Sequence, residues 1–291
     1  MQEDSGPVVY VVATPIGNLE DLTPRARRTL GGVDVIAAED TRQARKLMTF
    51  LAIHGKRLVS YQDHGEAERA AGLIRQIVAE GLSLAIITDA GTPCISDPGY
   101  RLVAAAHAAG IKVHPIPGAS APTTLVSASG LPSDRVLFVG FLPTRAGALQ
   151  GELASWAGTR ASIVFFESTR RLGRTLTAIQ KVYPEARVAI GRELTKLYEE
   201  IVSLDIAPAI AWLNEHATLK GEVTVMLATG AAANQALPGG AAVLTEAALL
   251  AQAKRGFARG DSLKDLLGQF KDCGFKRPEL YQLLLAAKDS L

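Results

Sequence analysis

Only two cysteines, Cys94 and Cys273, occur among 291 residues. Two thiols so far apart form no disulfide framework, and with five scattered histidines they offer no zinc spacing, so a reducing compartment and a metal-free site are expected. No apolar run reaches membrane-spanning length, and Met1-Gln-Glu-Asp-Ser-Gly6 lacks the basic and apolar segments of a secretory leader. The expected setting is the cytoplasm. Neither sign of charge prevails: 31 Lys+Arg against 29 Asp+Glu leave +2, so only local clusters can speak for a polyanionic partner. Neither a Gly-x-Gly-x-x-Gly dinucleotide fingerprint nor a phosphate-binding P-loop is present.

What is present is a large apolar fraction, 48%, arranged in alternating elements. Val8–Val12 reads as a strand, followed by Thr23-Pro24 as an N-cap with proline at the first helical position. Strands at Val33–Ile36, Leu58–Val59, Leu84–Thr88 and Ile111–Ile116 alternate with helices at Thr41–Ile53, Glu66–Glu80 and Asp97–Ala109. That spacing implies a mainly parallel sheet with helices on both faces. A second set follows an alanine- and serine-rich helix: Val136–Val139, Ser162–Phe166, Arg187–Ile190, Glu200–Val202 and Glu222–Leu227. The gap between Ile190 and Glu200 is too short for a helical crossover, so at least one antiparallel pair and a mixed sheet are expected.

The expected division is therefore an α/β domain over 1–122, a second α/β domain with a mixed sheet over 123–230, a Pro/Gly linker over 231–242 and a helical domain over 243–291. In the last, Ser262 and Asp265 form a capping-box pattern, Leu263, Leu266, Leu267 and Phe270 share a helical face, and Pro278 opens a helix bearing Leu280, Leu283 and Leu284. Lys254, Arg255, Arg259, Lys271, Lys276 and Arg277 accompany Phe257, Phe270 and Phe275 there; the rings read as core, the cations as candidate phosphate contacts should the partner be a polyanion.

The most informative stretch is Ile87-Thr-Asp-Ala-Gly-Thr-Pro-Cys-Ile-Ser-Asp-Pro-Gly99. It follows a buried strand, where open α/β sheets place ligand crevices, and its prolines reduce the entropy lost on ordering. Asp89 is read as positioning a ligand, against the simpler role of capping its own loop. Cys94 reads as a small packed residue, since no histidine partner lies in the motif.

Thr14-Pro-Ile-Gly-Asn18, Ala38-Glu-Asp-Thr-Arg42, the Thr88–Gly99 loop, Pro117-Gly-Ala-Ser120 and Arg192-Glu-Leu-Thr-Lys196 occur in one order. Together they resemble the small-subunit ribosomal RNA 2′-O-methyltransferases of the tetrapyrrole methylase-like superfamily, over about residues 8 to 228. The resemblance implies two α/β domains of tetrapyrrole methylase type and a small C-terminal helical extension. It implies S-adenosyl-L-methionine as methyl donor and, as substrate, the ribose 2′-hydroxyl of a cytidine in the decoding region of 16S ribosomal RNA, within the assembled 30S subunit. A homodimer is also implied. The cofactor loops carried over are Pro15-Ile16-Gly17, Asp89-Ala90-Gly91-Thr92-Pro93 and Gly118-Ala119-Ser120, with Phe166. The first loop departs from the glycine-rich version of the wider superfamily, which argues against the alternative of a porphyrin-precursor C-methyltransferase. A noncatalytic RNA-binding module would have no need of the Asp89 loop.

Methyl transfer to a hydroxyl is an in-line displacement assisted by a group that accepts the hydroxyl proton. The catalytic candidates are Glu167, Glu39, Asp40 and Lys196. Glu167 ranks first because it ends the strand Ser162–Phe166; its competing role is an ion pair with Arg170 or Arg171. Glu39 and Asp40 orient a ribose, or simply open a helix. Arg42, Arg170, Arg171, Arg174, Arg192 and Glu193 are the candidate substrate contacts, with surface ion pairs or a solvated helix face as the alternative. Around Glu167, Phe165-Phe-Glu-Ser-Thr-Arg-Arg171 departs from the tyrosine, proline and histidine common among relatives.

Overall fold

The computed structural model describes residues 6–61, 66–216, 219–229, 246–259, 261–270, 275 and 277–289. Two compact units are formed, Met1–Ala233 and Asn234–Leu291. The first holds both sheets. Strands β1 (Val8–Val12), β2 (Val35–Ala38), β3 (Arg57–Ser60), β4 (Ser83–Ile87) and β5 (Lys112–Ile116) lie in the order β3-β2-β4-β1-β5, every pair parallel.

Continuous burial of β2 and most of β4 follows from covering both faces of this sheet. Val9, Val35, Ala37, Leu84 and Ile86 meet Ile74 and Ile77 of α3 (Glu66–Glu80) and Leu102 and Ala106 of α4 (Tyr100–Ala108). Alternate residues Val12, Ile36, Ala38, Ala85 and Ile87 meet Ala26 and Leu30 of α1 (Pro24–Gly32) and Ala44 and Met48 of α2 (Thr41–Phe50). Thr23 caps α1 through its side chain, as Thr23-Pro24 predicts. Helix α4 starts three residues later than expected because Gly99 takes φ 135, outside helical backbone. Helix α2 ends before Ile53 because Ala52 turns to φ 54.

The second sheet contains β6 (Val136–Phe141), β7 (Ser162–Ser168), β8 (Arg187–Arg192), β9 (Glu200–Asp205) and β10 (Glu222–Ala228) in the order β6-β7-β10-β8-β9. It is mixed: β6 and β7 are parallel, the other pairs antiparallel, including β8 with β9. Its outer face packs Phe165, Ile190, Val225 and their neighbours against α6 (Ala146–Ser155), α7 (Thr169–Val182) and α8 (Ile206–Glu215). The inner face sets Val164, Ala189 and Met226 against Leu125 of α5 (Ala121–Ala128) and Ile16 of the loop after β1. This apolar seam joins the two sheet-bearing lobes.

The second unit is helical. α9 (Glu246–Arg259), α10 (Leu263–Gln269) and α11 (Arg277–Asp289) share a core of Leu249, Ala253, Leu266, Phe270, Leu280 and Leu284. Ser262 and Asp265 form the capping box reciprocally. Helix α9 falls within the helical region expected over 243–291, though its bounds were not marked from the sequence. Phe257, Phe270 and Phe275 all join the core, so none is a base-stacking platform. Lys271, Lys276 and the 231–242 linker lie outside the described residues, as do the side chains of Arg255 and Arg259.

Candidate active site

Because β1 and β4 are neighbours, the loops that leave their carboxyl ends run side by side. Thr14 and Gly91 exchange both backbone hydrogen bonds, 2.9 and 3.1 Å, and the Thr14 hydroxyl donates to the Thr88 carbonyl at 3.2 Å. Gly91 adopts φ 82, a left-handed backbone that favours glycine at this crossing. The Thr92 hydroxyl donates to the Ala119 carbonyl at 3.0 Å, tying in the third loop. Pro93 is buried, and a Cβ on Gly118 would stand 3.0 Å from that of Ala13. Pro93, Gly118 and Ala119 thus build the floor on which the other loop residues stand.

Two recesses flank this crossing. The larger, about 340 Å³, is lined on one side by Ile16, Ala90, Gly91, Thr92 and Ser120 and on the other by Phe141, Phe166 and Gly221–Thr224. Pro15 and Asp89 instead line a second recess of about 220 Å³ with Thr14, Leu19 and one face of α2. Of the cofactor residues expected from sequence, Ile16, Ala90, Gly91, Thr92, Ser120 and Phe166 meet in the larger cleft. Glu167, expected as a catalytic residue, lines it too, and Ile95, Asp97, Ala121, Pro122, Phe141, Ser168 and Gly221–Thr224 also line it and were missed. Ile95 and Asp97 sit within the conspicuous loop; nothing local marks Phe141 or Gly221–Thr224, which arrive from the second lobe.

The cleft has the size and apolar lining of a small-molecule site. Phe141 is 65% exposed, and its ring centroid lies 5.3 Å from that of Phe166. Aromatic faces, with the acidic residues Asp97 and Glu222 among the lining, suit a cationic ligand with apolar and amino-acid parts. The Cys94–Asp97 segment holds Cys94 at φ 72 and Ser96 at φ 64. It reaches the second lobe at a β6 bulge, where a Cβ on Gly140 would meet the Ser96 hydroxyl at 2.7 Å.

Gly17 has a different task from cofactor contact. The Asn18 N–H donates to the Thr195 hydroxyl at 3.1 Å, and a Cβ on Gly17 would stand 2.3 Å from the Lys196 Cγ and 3.1 Å from the Leu194 carbonyl. Only a hydrogen lets the first loop dock on this turn. Gly17→Ala is expected to cost about 1–3 kcal/mol, read as a lowered denaturant midpoint. An unchanged midpoint would mean that the turn yields freely.

The catalytic candidates are placed in ways that reassign most of them. The Glu167 carboxylate is buried on the α7 side of β7, accepting from the Thr175 hydroxyl at 2.7 Å and the Ser168 N–H at 2.8 Å. The Arg171 Nε lies 3.2 Å away without hydrogen-bond alignment, so that attraction is ionic. Arg171 also donates to the carbonyls of Leu142 and Pro143. Glu167 and Arg171 therefore brace β7 against α7, the competing assignment from sequence, while Glu167 also stands among the residues lining the cleft beside Phe166.

Asp40 caps α2, accepting from the Arg42 N–H at 2.7 Å and pairing with its guanidinium at 2.6 Å. Those bonds to Arg42 hold the Asp40 carboxyl at about 2, too weak a base for a sugar hydroxyl. Arg42 is correspondingly engaged, and Glu39 is half-buried beside it. Burial alone would depress Lys196, but its pairs with Glu193 at 2.9 Å and Glu222 at 3.0 Å prevail and raise it, so it stays an ammonium. Burial likewise would raise Glu193; the Glu222 N–H and Lys196 prevail and lower it. Arg192 pairs with Glu200 at 3.1 Å. Arg174 donates to the Thr144 carbonyl, while Arg170 is exposed and without an ion pair among the described residues.

Asp89 differs from all of these. Burial is the largest influence on its carboxyl and raises it, the Asp40 charge adding to this, although the Asp40 N–H at 3.2 Å and Arg42 pull the other way. Among the described residues, no group of three or more His, Cys, Asp or Glu side chains is arranged to hold a metal, and no helix is long and apolar enough to cross a membrane.

The profile of the tetrapyrrole (corrin/porphyrin) methylases matches residues 8–209. The chain is 46% identical over 226 residues to ribosomal RNA small subunit methyltransferase I of Halalkalibacterium halodurans, covering 78% of this chain and 77% of that protein. It is 46% identical over 220 residues to the protein of the same name from Mesorhizobium japonicum, covering 75% and 74%. Among solved structures, the methyltransferase CobJ matches with a TM-score of 0.57 over 77% of this chain and 95% of that one, at 18% identity, a likeness of fold. The chain belongs to the tetrapyrrole (corrin/porphyrin) methylases and, within them, to the family of ribosomal RNA small subunit methyltransferase I.

Proposed function

We propose that this protein is an S-adenosylmethionine-dependent methyltransferase that modifies the ribose 2′-hydroxyl of a cytidine in the decoding region of 16S ribosomal RNA. The observation that carries the reading is identity at 46% running through both sheet-bearing lobes to proteins named for small-subunit ribosomal RNA methylation. The five motifs behind the sequence resemblance support the finer reading: ribose as the acceptor, the assembled 30S subunit as substrate, a homodimer, and a cytoplasmic setting. The porphyrin-precursor alternative has less support, since the recess beside Asp89 presents Gln43 and Lys46 rather than a broad apolar wall.

S-Adenosylmethionine, when bound, supplies a methyl group made electrophilic by the sulfonium. Ile16, Gly91, Thr92, Ser120, Phe141 and Phe166 are the residues to hold it, by apolar contact, main-chain approach and aromatic faces toward the positive sulfur. Asp89 takes the polar catalytic role that sequence assigned first to Glu167. It lines the adjoining recess, and although the residue is solvent-exposed its carboxyl is raised by partial desolvation, which makes it a better proton acceptor than Asp40, held low by its bonds to Arg42. The loop crossing at Thr14 and Gly91 keeps both recesses in register, which supplies the positioning that in-line transfer needs.

Incubating the purified chain with labelled methyl donor and undermethylated 30S subunits tests the proposal, with the modified ribose mapped by mass spectrometry. Label on one cytidine ribose is the expected result. Label on a porphyrin precursor instead, or on neither, would reject it.

A further inference from the structure

The recess beside Asp89 has features that methyl-donor binding does not use. Gln43, Lys46 and Phe50 project from one face of α2 at spacings of three and four residues, and all three line it. Phe50 is 60% exposed and Leu19, across the recess, 42%. Neither joins a core cluster. Lys46 is exposed and makes no ion pair, and the Gln43 amide makes no hydrogen bond, among the described residues. An uncovered aromatic ring, an unpaired cation and an amide with both donor and acceptor open thus converge beside a carboxylate.

Each of these groups matches one part of a nucleotide. Exposed aromatic rings stack unpaired bases, lysine meets phosphate, and an amide answers the mixed donor and acceptor edge of a pyrimidine. We infer that this recess seats the target nucleotide, Phe50 stacking its base, Lys46 contacting its phosphate and Gln43 reading its edge, with the ribose toward Asp89. The inference rests on the RNA-methylating reading above and assigns the nucleotide to one side of the loop crossing, the methyl donor to the other. It also replaces Arg170, Arg171 and Arg174 as the first contacts of the reacting nucleotide, since Arg171 is internal and Arg174 is bonded to the Thr144 carbonyl.

The test uses the full chain saturated with S-adenosylhomocysteine and a short single-stranded RNA carrying a fluorescent cytosine analogue whose emission falls on stacking. Wild type is expected to quench it, Phe50→Tyr to preserve the quenching and Phe50→Ala to abolish it. Lys46→Ala should weaken RNA binding and reduce its salt slope by about one. On undermethylated subunits, Phe50→Ala should lower kcat/KM by about 10- to 100-fold while cofactor affinity stays unchanged. Quenching by Phe50→Ala equal to wild type, or a matching loss of cofactor affinity, would overturn the assignment, the latter by placing the donor's adenine on Phe50. Quenching without any methyl transfer by wild type would sink the enzymatic reading and leave the subsite standing; transfer without Phe50-dependent quenching would do the reverse.

Discussion

Asp89→Asn is expected to lower kcat by about 100- to 10,000-fold, the range associated with losing a positioned proton acceptor. Cofactor affinity, measured by calorimetry, should stay close to wild type, because Asp89 lines the smaller recess while the cleft assigned to the donor is lined by Ala90, Gly91 and Thr92. The sequence alone leads to the opposite expectation, weakened cofactor binding. The two outcomes separate cleanly. A variant with normal kcat and poor cofactor affinity would return Asp89 to the donor site.

The pH dependence follows from the same group. Asp89 must be ionised to accept a proton, so kcat/KM should climb as pH rises through its raised pKa, and the asparagine variant should lose that limb. Stability runs the other way. A carboxyl raised in the fold stabilises it through its protonated form, fully below the unfolded-state pKa and progressively less as pH passes the folded value. Asparagine mimics that protonated form. Asp89→Asn should therefore be at least as stable as wild type at neutral pH, which distinguishes a catalytic loss from misfolding.

Glu167→Ala should have the largest effect on stability, about 3 kcal/mol or more, seen as a drop in thermal and denaturant midpoints. The reason is what remains. Arg171, with its Nε buried and unaligned, loses its counter-charge, and the Thr175 hydroxyl loses its acceptor. Glu167→Gln keeps an acceptor for Thr175 and should be milder. Combining it with Arg171→Met removes the orphaned charge and should recover part of the loss, a coupling that a double-mutant cycle measures. The folded Glu167→Gln enzyme should turn over at nearly the wild-type rate. A large fall in kcat with intact stability would restore Glu167 as a catalytic group.

Periodicity carried much of the fold. The runs at β2 and β4 are nearly all apolar because helices cover both faces, and Glu66–Glu80 matches its helix end to end. The short Ile190-to-Glu200 gap foretold the antiparallel β8–β9 pair because no crossover helix fits there. Boundaries slipped where backbone chemistry outweighed pattern, as at Gly99 and Ala52. Helix α9 lies inside the expected 243–291 helical domain, but its own bounds were not marked because no cap or proline signal sets it off from the preceding Pro/Gly stretch.

The candidate site was legible as loops rather than as roles. Motif residues after strands had to gather at one sheet edge, and six of the expected cofactor residues do. Which of them touches which recess depends on β1 lying beside β4, a neighbour relation between strands more than seventy residues apart. Phe50 and Lys46 looked like ordinary helix residues because Leu19 and Asp89, which line the recess with them, are distant in sequence.

Sequence by itself determined the elements, the sheet types and the family, since these depend on local periodicity, short spacings and motifs that survive as linear strings. Tertiary structure decided the surroundings of each candidate carboxylate. Glu167, Asp40 and Asp89 each stand at the end of a strand, but one is turned inward and braced, one is tied to Arg42, and one is partly desolvated at a recess. A carboxyl's basicity is set by the charges, donors and water around it, and those neighbours are assembled only when the chain folds.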